Sequence, residues 1–157
     1  VWEERDRGLY EEEVYLKQFQ ELDPQDAEDI EKVIKGSGQT IRKRPYADTW
    51  VKYLKSKGYH VYILSNYSSY MLDHTKKELT FRREMDGEFF SCYANQLKPD
   101  AEIYQIILNK YQLKPEECVF IDDRPENCRG AQEQGIHTIC FKDFKQVTAD
   151  LEKLGVK

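Results

Sequence analysis

Hydrophobic positions along this chain recur at two spacings, and the alternation between them organises the whole sequence. Short apolar runs of strand length occupy residues 59–65, 89–93, 118–122 and 136–141. Between them apolar residues recur three and four apart, as in Ala47, Trp50, Val51 and Leu54, or Ile103, Ile106, Ile107 and Tyr111. Phe144, Val147, Leu151 and Leu154 mark a last stretch of the same kind. The runs fit buried strands and the spaced sets fit amphipathic helices. Punctuation agrees: Pro45 opens one helix that Gly58 closes, Pro99-Asp100 opens another, and the helix after Val119–Asp122 runs to Gly135. A further helix is predicted at 68–77. Strands alternating with helices of this length predict βαβ units, a parallel sheet and right-handed crossovers.

The first 36 residues break this rhythm, being helical and polar. Arg7 to Phe19 reads as one helix with Leu9, Leu16 and Phe19 on a shared face. Asp23-Pro24 is an N-cap and first-position pair, followed by Ala27, Ile30, Val33 and Ile34 at helical spacing. Gly36-Ser37-Gly38 reads as a hinge or linker. Two segments result, a helical one at 1–38 and an α/β one at 39–157. The sequence has no internal repeat and no low-complexity tract.

Composition narrows the class. The length, 157 residues, suits one ordinary domain. A net charge of −5 gives no general attraction to nucleic acid. No apolar run approaches the ~20 residues of a membrane span, and no signal peptide is visible, so a cytoplasmic protein is expected. The four cysteines at 92, 118, 128 and 140 form no Cys-x-x-Cys pair and read as reduced thiols.

Candidate chemistry sits where strands end. Val119-Phe120-Ile121 rises into Asp122-Asp123, with Pro125 at the first position of the next helix. Ligands of open parallel sheets bind outside such strand ends. Adjacent carboxylates repel, and a hard cation such as Mg²⁺ is the usual remedy; the alternative is an acidic turn with Asp123 as a plain helix cap. Ser65-Asn66 follows the strand ending at Leu64; a hydroxyl there can hold a phosphate oxygen or merely cap the next helix. Lys98, just before Pro99, can neutralise a carboxylate and a phosphoryl group together, or be a surface lysine.

In order and spacing these residues resemble the haloacid dehalogenase-like (HAD) hydrolase superfamily. The likeness is carried by Tyr62-Ile63-Leu64-Ser65-Asn66, by Leu97-Lys98-Pro99-Asp100 with Ile103-Tyr104, and by Cys118 to Asp123 with Asn127, Ala131 and Gly135-Ile136. It covers about Pro45 to Phe141, and the first helices resemble the family's small helical cap. The branch it resembles includes sugar-phosphate phosphatases and the phosphatase domain of epoxide hydrolases. The resemblance implies a Rossmann-like parallel sheet flanked by helices, with residues 1–38 as part of the cap. It also implies Mg²⁺-dependent hydrolysis of small phosphate monoesters through an aspartyl-phosphate. Ser65 matches the phosphate-binding hydroxyl, with Asn66 beside it. Lys98 matches the charge-neutralising lysine and Asp123 the direct Mg²⁺ ligand. Asp122 matches a ligand or its partner, and Asn127 a residue that supports the loop. Ser65, Lys98 and Asp123 are expected to gather at the carboxyl edge of the sheet.

The sequence departs from the family in one respect. The nucleophile belongs to an Asp-x-Asp motif after a first, central strand, and these residues hold no such motif: Asp48 lies inside an amphipathic helix and Asp143 follows the last strand. The chain reads as the carboxyl-terminal part of a HAD protein, entered inside the cap. An amino-terminal segment, a second chain or a swapped element would then complete the sheet. The alternative is a HAD-like binding protein that lacks the nucleophile by nature. A 2-haloacid dehalogenase fits less well, because that chemistry does not need the metal to which the acid pair points. A response-regulator receiver fits least, since only 34 residues follow Asp123.

Overall fold

The computed structural model describes residues 1–156. They form an α/β fold of short parallel strands flanked by helices, divided into two compact units at Asn95 and Gln96.

The first unit begins with three helices, α1 (Trp2–Arg7), α2 (Glu12–Leu22) and α3 (Ala27–Gly36). The single helix expected from Arg7 to Phe19 is broken at Gly8, which caps α1 in the left-handed region at φ 71°. A Cβ there would stand 2.8 Å from the Cys92 Cβ. Arg5 ties the helices together: it is 2% exposed, and its guanidinium lies over the rings of Trp2 and Tyr70. It donates to Glu12 at 2.6 Å and to the Ser37 hydroxyl at 3.3 Å. Ser37 is buried and its hydroxyl donates to the Ile34 carbonyl at 2.7 Å. The Gly36-Ser37-Gly38 stretch is therefore an ordered turn rather than a loose linker.

Helix α4 (Ala47–Ser56) leads into β1 (Tyr62–Ser65), and β1 pairs in parallel with β2 (Gly87–Phe90). The ladder runs from Tyr62 opposite Gly87 to Ser65 opposite Phe90. Strand β2 lies two to three residues earlier than its apolar run predicts, because Ser91 pulls the chain out of the ladder. The Ser91 hydroxyl accepts from the Tyr67 amide at 2.8 Å and donates to the Asp6 carbonyl. Helix α5 (Ser69–His74) is capped by Ser68 and stops short of the predicted 77. Buried Thr75 ends it, its hydroxyl turning back to the Met71 carbonyl at 2.6 Å.

The second unit holds α6 (Ala101–Tyr111), β3 (Val119–Asp122), α7 (Pro125–Glu133), β4 (His137–Cys140) and α8 (Phe144–Lys153). Strands β3 and β4 are parallel, with Val119 opposite His137 and Asp122 opposite Cys140. Ile103 and Tyr104 of α6, Ala131 of α7 and Val147 of α8 are fully buried. Gly130 lets α7 approach the backbone of Pro99, whose carbonyl oxygen would lie 2.5 Å from an added Cβ. All four cysteines are free thiols. Among the described residues no helix is long and apolar enough to cross a membrane.

Candidate active site

The adjacent acids of the β3 turn meet different environments. Asp122 closes β3, and its side chain is 7% exposed. Its Oδ2 accepts from the Lys98 ammonium at 2.6 Å. Its Oδ1 accepts from the Arg124 amide at 2.9 Å and from the Asn127 side-chain amide, also at 2.9 Å. One carboxylate thus satisfies a lysine, an amide at the start of α7 and a buried asparagine. Asp123, the next residue, is exposed. It does not cap α7, because Arg124 is the capping residue and makes no side-chain cap bond.

Lys98 is as deeply placed as its partner, with a side chain 7% exposed. Its ammonium also lies 5.3 Å from the centre of the Phe120 ring, a cation–π distance. It is not the surface lysine that its residue type favours. Burying both charges is tolerable because the ion pair is hydrogen-bonded on both carboxylate oxygens.

Asn127 is 2% exposed, and its Oδ1 is buried without a hydrogen-bond partner among the described residues. Its backbone carbonyl accepts from the Tyr104 hydroxyl at 2.7 Å. Burial, then the Asp122 charge, raises the Tyr104 pKa far above its ordinary value, so this hydroxyl remains a donor at any physiological pH. Two thiols hang on the same turn. Cys128 donates to the Asp122 carbonyl at 3.5 Å and Cys140 to the Asp123 carbonyl at 3.8 Å. Burial, then Cys140, pushes the Cys128 thiol up to about 11, so it stays protonated.

The structure therefore brings Lys98, Asp122 and Asn127 into one hydrogen-bonded cluster beside Asp123. Ser65 and Asn66 belong to the first unit. Ser65 is the last residue of β1, and Asn66 leads into the turn before α5. Sequence reasoning assigned no role to Tyr104 or Phe120. Both sit in strong apolar patterns, where an aromatic reads as core. The signal for Tyr104 was its hydroxyl, which a buried tyrosine must spend on a partner.

A magnesium ion suits part of this donor set. Among the described residues no three His, Cys, Asp or Glu side chains gather as a metal cage. Mg²⁺, however, commonly takes only one or two protein carboxylates beside water and phosphate oxygens. Asp123 offers an exposed carboxylate of the right kind, while the Asp122 oxygens are already engaged. The unpartnered Oδ1 of Asn127 is a further oxygen donor in the same cluster.

Comparison with known proteins identifies the family of the chain. A family model for haloacid dehalogenase-like hydrolases matches residues 2–135. The flavin mononucleotide hydrolase 1 of Arabidopsis thaliana is 28% identical over 159 residues, covering 99% of this chain and 62% of that protein. A sesquiterpene phosphatase of Aspergillus oryzae is 25% identical over 155 residues, covering 98% of this chain and 79% of that protein. Among solved structures, a HAD family enzyme of Bacteroides thetaiotaomicron, in complex with magnesium and inorganic phosphate, superposes with a TM-score of 0.73. It is 21% identical, and the match covers 92% of this chain and 77% of that one. The chain thus spans about three fifths of the plant hydrolase's length.

Proposed function

Given that the chain belongs to the haloacid dehalogenase-like hydrolase family, we propose that the protein it comes from is a Mg²⁺-dependent phosphatase of small phosphate monoesters. The observation that carries this reading is the buried Lys98–Asp122 pair, 2.6 Å apart, beside the exposed carboxylate of Asp123. A lysine held by an already satisfied acid keeps its ammonium oriented. Such a charge counts most where an anionic nucleophile must approach an anionic phosphoryl group.

The residues divide the work as follows. Lys98 offsets the charge between nucleophile and phosphoryl group. Asp122 and Asn127 orient Lys98 and hold the first turn of α7. Asp123 supplies the carboxylate for Mg²⁺, which when bound screens the phosphate. Ser65 and Asn66 donate to a phosphate oxygen. The nucleophile, an aspartate that carries the phosphoryl group between transfer and hydrolysis, comes from outside these 157 residues. The cytoplasm is the expected compartment and a phosphorylated metabolite the expected substrate. The flavin mononucleotide hydrolase and the sesquiterpene phosphatase support the reaction type.

The test is p-nitrophenyl phosphate hydrolysis, and then a panel of sugar phosphates, by the complete protein with and without EDTA. EDTA should abolish turnover. Lys98→Ala should lower kcat by about 100-fold or more, the usual consequence of removing a group that meets developing charge. A complete protein silent on the whole panel would instead favour a non-catalytic HAD-like binding protein.

A further inference from the structure

Tyr104 is fully buried in α6, six residues from Lys98 along the chain, and touches the cluster by two routes. Its hydroxyl donates to the Asn127 carbonyl at 2.7 Å, and the Asn127 side chain donates to Asp122 Oδ1 at 2.9 Å. Asp122 Oδ2 in turn holds Lys98 at 2.6 Å. The Tyr104 ring also packs edge-on against Phe120, centroids 5.7 Å apart, and Phe120 is the ring that faces the Lys98 ammonium at 5.3 Å. The close approach of α7 at Gly130 completes the frame, since a Cβ there would lie 3.0 Å from the Tyr104 ring.

We propose that Tyr104 is a positioning residue for Lys98, acting through Asn127 and Asp122 by its hydroxyl and through Phe120 by its ring. The helical ladder alone does not require the hydroxyl, because the Asn127 carbonyl sits in the first turn of α7 and has the usual helical acceptor role. A tyrosine hydroxyl spent on a carbonyl already in a helix adds little to helix formation. It does lock the rotation of that turn, and with it the direction in which Asn127 presents its amide to Asp122. A phenylalanine would fill the same space and leave that direction unlocked.

The inference rests on the phosphatase reading for its kinetic consequence but not for its structural one, so two measurements on the complete protein separate them. The first is the rate at which acetic anhydride modifies Lys98, followed by mass spectrometry. Tyr104→Phe should raise it about fivefold, the effect of losing one hydrogen bond. The melting temperature should fall by about 4 °C or less. The second measurement is p-nitrophenyl phosphate turnover, in which kcat should fall about fivefold with KM held within about twofold. Asn127→Ala should reproduce both effects, and Tyr104→Phe added to it should bring little more, because the two act in series. An unchanged Lys98 modification rate in Tyr104→Phe overturns the inference, as does full additivity with Asn127→Ala. Turnover absent from the wild-type protein would defeat the phosphatase reading, while the modification rate would still decide the role of Tyr104.

Discussion

Asp122 and Asp123 are neighbours of one residue type, and the structure gives them opposite work. Asp122 lies under Lys98 with both oxygens engaged, so replacing it leaves an ammonium buried beside a neutral amide. Asp122→Asn should cost about 3 kcal/mol of stability, as breaking a buried pair does, read as a shift of the urea midpoint. Asp123 is exposed and its loss removes a like charge from its neighbour. Asp123→Asn should leave the midpoint unchanged or slightly raised without metal, and should abolish Mg²⁺ binding by calorimetry in the complete protein. Equal effects of the two substitutions on stability would show that the two acids are not differentiated.

At the level of elements, the site depends on how closely α7 can approach the turn at Lys98-Pro99. Gly130→Ala forces a methyl group to 2.5 Å from the Pro99 carbonyl oxygen, a backbone atom that cannot swing aside. Overpacking of this kind costs about 1–3 kcal/mol, and the expected result is a lower melting temperature together with faster modification of Lys98. The β1–β2 ladder is tied differently. Asp86, just before β2, accepts from Lys55 of α4 and from the Val61 amide, each at 2.8 Å. Burial works against its ionisation, but the Lys55 ammonium and the Val61 amide outweigh it and hold the carboxyl below the usual range. Because the folded pKa is the lower one, the unfolded chain binds the extra proton. The stabilisation is full above the unfolded aspartate value near pH ~4 and fades as pH falls through the folded value. Asp86→Asn should therefore flatten the loss of stability between neutral pH and about pH 3, measured by urea unfolding at each pH.

At the scale of the molecule, four parallel strands stand as two ladders, β1 with β2 and β3 with β4. Each ladder has the order of a βαβ unit, and each carries polar groups at its carboxyl end: Ser65 on one, Asp122 on the other. The family resemblance implies a further strand, bearing the nucleophile, in the complete protein. From this we expect the 157 residues alone to show no significant phosphatase turnover, and the complete protein to show EDTA-sensitive turnover. Groups that position and neutralise do not open a covalent path without a nucleophile. Robust hydrolysis by the isolated chain would place the nucleophile among residues assigned other roles here.

Hydrophobic spacing alone was enough to establish four strands, their alternation with helices and the acid pair at a strand end, because burial imposes a period of two or 3.6 on whatever sequence satisfies it. The resemblance to the hydrolase family, not the spacing, marked Lys98, Asp122, Asp123 and Asn127 as one motif set. Spacing carries no information about partners, and the differences arose there. Gly8 breaks a helix because Cys92, far away in sequence, leaves no room for a side chain. Ser91 shortens β2 because Asp6 and Tyr67 claim its hydroxyl. Gly36 to Gly38 reads as a linker until Arg5 is found bonded to Ser37. Nothing in the spacing shows that Asp122 lies beneath a lysine 24 residues away while Asp123 stands in solvent. In each case the deciding contact joins residues distant in sequence, and only the folded chain brings such residues within hydrogen-bonding or van der Waals reach.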